Sequence, residues 1–134
     1  AMRSAYAAAG IAARIQAYFP DLPAEMAASH IVVARSGAST VAELAVMGRP
    51  AILVPLPIAT DDHQFANAAG LAAAGGAVVM RQSEFTSERL AQALTAWATD
   101  PKALAAAAAG AQSAGRPDAA SALADLVIAT GTQP

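Results

Sequence analysis

The sequence predicts an α/β fold, a parallel Rossmann-like sheet with flanking helices, and three observations predict it. Short β-branched runs at 31–34, 51–55 and 77–80 alternate with alanine-rich helical stretches. Each run is apolar throughout, the pattern of a strand buried on both faces of a parallel sheet. Glycine or proline punctuates the junctions between them.

Taken in order, the chain opens on a helix that ends at Gly10, where glycine supplies a C-terminal stop. No capping signal precedes that helix, so the chain is expected to be a piece of a longer protein. Residues 14–18 read as a first strand stopped by Pro20, followed by a helix over 23–28. The run 31–34 is the next strand, and a helix from Thr40 or Val41 to Met47 stops at Gly48 and Pro50. The unit repeats as a strand over 51–55, a Pro- and Asp-rich loop, and a helix over 63–74 ended by Gly75 and Gly76. A strand at 77–80 and helices at 86–98, 101–114 and 118–128 complete the chain, with residues 131–134 expected to fray. Such alternation implies a sheet covered by helices on both faces.

Composition narrows the function. With 134 residues, 56% hydrophobic and 13% charged, the chain is long enough for one packed domain and too apolar for disorder. It has no cysteine, which removes disulfides, thiolate metal sites and cysteine nucleophiles, and fits a cytoplasmic location. No apolar run reaches the roughly 18 residues of a membrane span. Its eight basic residues are scattered and the net charge is −2, so nucleic acid is not an expected partner. One small anionic ligand remains open, since helix amides bind anions without net positive charge.

In open parallel sheets ligands bind beyond the carboxyl ends of the strands. Residues 19–22, 35–40 and 55–64 hold those places and most of the polar character. In Arg35-Ser-Gly-Ala-Ser-Thr-Val-Ala-Glu43, Gly37 allows a tight turn or close ligand approach, and the small residues leave the next helix's first amides open to phosphate oxygens. Glu43 has two readings on spacing: a capping box with Thr40, or a carboxylate accepting two vicinal sugar hydroxyls. In the second cluster Gln64 and Asn67 share a helix face beside His63, offering amides to a polyhydroxyl ligand or simply to water. Asp61, Asp62 and His63 do not converge as metal ligands without a further partner, so no metal is expected. His30 reads as structural. Met26, Met47, Met80 and Trp97 read as packing residues. The glycine patterns of dinucleotide, P-loop and serine-hydrolase sites are missing.

Arg35 to Glu43, Gly48-Arg-Pro-Ala-Ile-Leu-Val-Pro-Leu-Pro57 and Asp62-His-Gln-Phe-Ala-Asn-Ala68 stand in order and at the right spacing, with Ala5-Tyr-Ala-Ala-Ala-Gly10 and Pro117-Asp-Ala119 beside them. Together they resemble the C-terminal, donor-binding domain of the bacterial peptidoglycan N-acetylglucosaminyltransferases of glycosyltransferase family 28. The resemblance implies a partial C-terminal domain of a GT-B glycosyltransferase, using UDP-N-acetylglucosamine to turn lipid I into lipid II. By match, Phe19 would recognise uracil through its backbone and Glu43 would hold the ribose. Amides at Ala38, Ser39 and Thr40 would bind the diphosphate with Arg35 supporting their loop. His63, Gln64 and Asn67 would line the sugar pocket, although family members carry a second glutamine where His63 stands.

The resemblance also implies what the chain lacks: the acceptor domain that takes lipid I, with its candidate general base, and the first glycine-rich loop. The parent would sit peripherally on the cytoplasmic face of the inner membrane. No cofactor is implied. On the family's strand order, the strand at 14–18 has lost its neighbour and must re-pair, fray or be completed by another chain, a route to self-association. The chain alone is expected to bind UDP weakly and to turn nothing over. Two other readings stand beside this one. Another UDP-sugar enzyme, a glycolipid synthase or epimerase, would be separated by competition among UDP-sugars. A non-catalytic fragment would be separated by a Glu43→Ala variant that leaves UDP affinity unchanged.

Overall fold

The computed structural model describes residues 1–57 and 62–131. Three of the four expected strands form: β1 (Val32–Ala34), β2 (Ala51–Leu53) and β3 (Ala77–Val79). They pair in parallel in the order β1-β2-β3, with Val33 opposite Ile52 and Ile52 opposite Val78. Hydrogen bonds from Val54 N to Ala34 O and from Met80 N to Leu53 O, both 2.9 Å, carry the ladder just past the strands' carboxyl ends.

Successive side chains on a strand point to opposite faces. Ala51, Leu53 and Ala77 face the core, where they meet Leu44 and Ala45 of α3 (Ala38–Val46), Ala68 and Leu71 of α4 (His63–Ala73), and Ala111 of α6 (Pro101–Ala114). Met26 is buried in this cluster and Met80 is also buried, as packing residues should be. Both crossover helices stop in the same way. Gly48 and Gly75 take left-handed φ values of 61° and 80°, and the following amides of Arg49 and Gly76 reach back 2.9 Å to Leu44 O and Leu71 O. Glycine meets the steric demand of that conformation at no cost from a Cβ.

α6 approaches so closely that a Cβ at Gly110 would stand 2.2 Å from Ala74 O, and one at Gly76 would stand 2.5 Å from Ala111 Cα. Its start is fixed by Pro101 and by Asp100 Oδ1, which accepts from the amides of Lys102 (3.0 Å) and Ala103 (3.1 Å). α5 (Ser87–Ala98) is capped by Thr86 and half-buries Leu90, Leu94 and Trp97.

Three expectations need correction. Residues 14–18 form no strand, because a strand needs a paired neighbour and β1 pairs only with β2 among the described residues. Arg14 instead pairs with Glu25 of α2 (Leu22–Ala28) and lies 5.3 Å from the Phe19 ring centroid. The sheet is not fully covered on both faces either. Opposite the core face Ile52 is buried, but Val33 is 44% and Val78 37% exposed, because α3, α4 and α6 pack together on one side. Finally, α7 (Ala119–Gly131) runs past its expected end at 128, and residues 132–134 of the expected frayed tail lie outside the described residues. Neither α7 nor α1 (Met2–Ala8) buries a residue. Among the described residues no helix is long and apolar enough to cross a membrane.

Candidate functional site

The carboxyl ends of β1 and β2 are joined by one side chain. Arg35 Nη1 donates to the carbonyls of Val54 (3.2 Å) and Pro55 (3.3 Å), so the loop after β1 is fastened to the loop after β2. Next to it Ser36 is fully buried, and its Oγ has no hydrogen-bond partner among the described residues.

Then α3 begins at Ala38, two or three residues earlier than the spacing suggests. Gly37 is its N-cap, no side chain caps it, and the first intrahelical bond runs from Val41 N to Gly37 O at 3.0 Å. The amides of Ala38, Ser39 and Thr40 therefore fall in the turn that has no intrahelical acceptors, at the positive end of the helix dipole. Thr40 sits inside the helix rather than at its cap, so the capping box with Glu43 is not formed. Glu43 is half-buried on α3, and its carboxylate has no hydrogen bond or ion pair among the described residues. Gly37 has φ −61°, an ordinary value, and a Cβ there would meet only Thr40 Oγ1 at 4.0 Å. The turn thus makes no demand for glycine, and the space beside it is open.

The amides of α4 are not merely solvated. Gln64 Oε1 accepts from Leu56 N at 3.0 Å, and Asn67 Nδ2 donates to Ser36 O at 3.1 Å. Each keeps its second group: the Gln64 NH₂ as donor and Asn67 Oδ1 as acceptor. His63 opens the helix and is exposed. Asn67 also lines a groove of about 250 Å³ between α3 and α4 with Ala38, Val41, Ala42 and Gly70. Arg35, Ala38 to Thr40, Gln64 and Asn67 are thus gathered at one end of the sheet.

Phe19 lines a different cavity from theirs. It is half-buried beside a separate cavity of about 470 Å³ lined by Tyr18, Pro20, Leu22 and Pro23. Asp61 lies outside the described residues, and among those described no three His, Asp or Glu side chains are grouped to hold a metal ion.

The sequence reading overlooked the segment after β3. A cavity of about 480 Å³ is lined by Val33, Ala34, Arg35 and Val54 together with Gln82 and Phe85, and a smaller one of about 160 Å³ includes Arg81, Gln82 and Ser83. The signal was present: residues 81–86 also follow a buried strand, and the carboxyl-end rule applies to them as to the other loops.

These loops stand beyond the carboxyl ends of the parallel strands of an α/β sheet. Residues 1–123 match the glycosyltransferase family 28 C-terminal domain, and the chain belongs to that family. It is 59% identical over 128 residues to the UDP-N-acetylglucosamine--N-acetylmuramyl-(pentapeptide) pyrophosphoryl-undecaprenol N-acetylglucosamine transferase of Rhodospirillum centenum, covering 96% of this chain and 34% of the relative. The protein of the same name from Methylobacterium nodulans is 60% identical over 129 residues, covering 96% and 35%. Among solved structures, the crystal structure of Acinetobacter baumannii MurG superposes with a TM-score of 0.84 at 35% identity, covering 93% of this chain and 38% of that one. The chain spans about a third of the length of the curated relatives it matches.

Proposed function

We propose that this chain is the donor-binding part of an inverting transferase that moves N-acetylglucosamine from UDP-N-acetylglucosamine to lipid I, giving lipid II. The observation that carries the reading is the uncapped first turn of α3 directly beyond β1, with the α4 amides fastened at the same end of the sheet. Ala38, Ser39 and Thr40 would present their amides to the diphosphate, and Arg35 would hold their loop in register with β2. Glu43 supplies a carboxylate with no hydrogen-bond or ion-pair partner among the described residues, suited to the ribose hydroxyls. His63, the Gln64 NH₂ and Asn67 Oδ1 would meet the sugar, and the backbone at Phe19 would read the uracil edge.

In the reaction a lipid I hydroxyl attacks the anomeric carbon, the bond to the diphosphate breaks, and UDP leaves. Charge then grows on the diphosphate oxygens, where prearranged helix amides stabilise it without a metal. The residue that accepts the hydroxyl proton and the surface that meets lipid I belong, in this reading, to an acceptor domain. The whole enzyme would work peripherally on the cytoplasmic face of the inner membrane.

Calorimetric titration of the full-length gene product with UDP and UDP-N-acetylglucosamine tests the reading. Both should bind, and Glu43→Ala should weaken both by roughly tenfold, the loss of a charged hydrogen-bond acceptor. Unchanged UDP affinity in a folded Glu43→Ala protein overturns the site. Transfer to lipid I by residues 1–134 alone would overturn the division of labour.

A further inference from the structure

Among the described residues Asp62 is the only non-glycine residue with positive φ, at φ 53° and ψ 29°. It is the N-cap of α4, yet its carboxylate caps no helix amide. Asp62 Oδ2 instead accepts from Arg81 Nη2 at 3.0 Å, across from the carboxyl end of β3. The Arg81 guanidinium lies 4.3 Å over the ring of Phe65, in the first turn of the same helix. One cation therefore grips α4 twice, through the charge at its cap and the ring of its first turn.

Aspartate tolerates the left-handed region better than most residues, but the conformation still costs free energy compared with glycine. Something must hold it, and Arg81 is the group in contact. The same turn is held twice more, by Leu56 N on Gln64 and by Asn67 on Ser36 O. The first turn of α4 is thus moored to the loops after all three strands.

We propose that Arg81 is a positioning residue for the sugar half of the donor site: its grip on Asp62 and Phe65 sets the first turn of α4, and so the aim of Gln64. This rests on the donor-site reading above. Arg81 itself is committed to a carboxylate and a ring, and it acts through α4. The diphosphate amides belong to α3 and do not depend on it.

The division between α3 and α4 makes the inference testable in the full-length gene product. Arg81→Ala should weaken UDP-N-acetylglucosamine by roughly five- to tenfold, the lower part of the range for strain at a left-handed residue, since the ion pair is exposed. UDP affinity should stay within about twofold. Adding Asp62→Gly should restore the sugar-nucleotide affinity, because glycine takes that φ without a clamp. Equal weakening of both ligands, or no weakening of either, overturns the proposal while UDP binding itself leaves the donor-site reading intact. Failure of Asp62→Gly to rescue also overturns it, by making Arg81 a direct ligand contact. If neither nucleotide binds the unsubstituted protein, the donor-site reading falls and this inference with it.

Discussion

The two sides of this molecule are built on different terms. On one side α3, α4 and α6 pack against the sheet over Leu44, Leu53, Ala68, Leu71 and Ala111, all essentially out of water. At the ends of the chain α1 and α7 bury nothing: Leu123, Leu126, Val127 and Ile128 of α7 are each at least 60% exposed. Around the site, side-chain hydrogen bonds made by Arg35, Gln64, Asn67 and Arg81 tie the loops after the strands to one another and to α4. The packed side supplies a rigid support on which loop amides can be aimed. The outer helices are ordered by local backbone bonds, and their apolar side chains contribute little to holding the sheet.

That contrast can be broken most directly at Leu44. Leu44→Ala removes a fully buried side chain and should cost about 2–5 kcal/mol of unfolding free energy, read from urea denaturation. Gly110→Ala should follow at about 1–3 kcal/mol, since its methyl group would press on Ala74 O and force α6 away. A fully tolerated Gly110→Ala would mean that α6 sits farther from α4 than described.

The margin of α5 gives an intermediate case. Thr86 Oγ1 accepts from Arg89 N at 3.3 Å, and Thr86→Ala should cost about 1 kcal/mol as a lost N-cap. Glu88, in the same first turn, has its pKa held below the usual carboxylate value by a backbone hydrogen bond and by the Thr86 hydroxyl. A carboxyl depressed in the folded state adds stability above its unfolded pKa and loses it as pH falls through the folded one. Thr86→Ala should therefore raise the Glu88 midpoint in an NMR titration and shrink that acid-side loss. An unmoved midpoint would assign the depression to the backbone bond alone. The smallest effect belongs to Leu126→Ala on α7, expected within about 0.5 kcal/mol of no change. A large loss there would show that α7 does hold the sheet.

Much of this was legible in the residues. β1, β2 and β3 could be read because unbroken apolar runs have few other uses, and Gly48 and Gly75 mark helix ends by a steric rule. The strand expected at 14–18 failed because pairing is not a local property: an extended run needs a strand to pair with, and among the described residues none pairs with it. The start of α3 was misread for the opposite reason. Ala38 and Ser39 carry no strong signal, and the capping pattern of Thr40 and Glu43 drew the boundary two or three residues late. Gln64 and Asn67 were rightly gathered on one face, but spacing cannot say that half of each amide is already spent on Leu56 and Ser36. Arg81 stayed hidden because its meaning depends on Asp62 and Phe65, which only the fold brings beside it.

The closeness of α6 has a consequence for how this domain can change over time. Gly76, Gly110 and Gly115 each sit where an added methyl group would strike the backbone of a neighbouring segment. A core of interlocking side chains can absorb a mutation by exchanging one shape for another, but backbone against backbone leaves no shape to exchange. Variation in this family member should thus be channelled to the outer helices and the loop rims, while these three positions admit almost no alternatives.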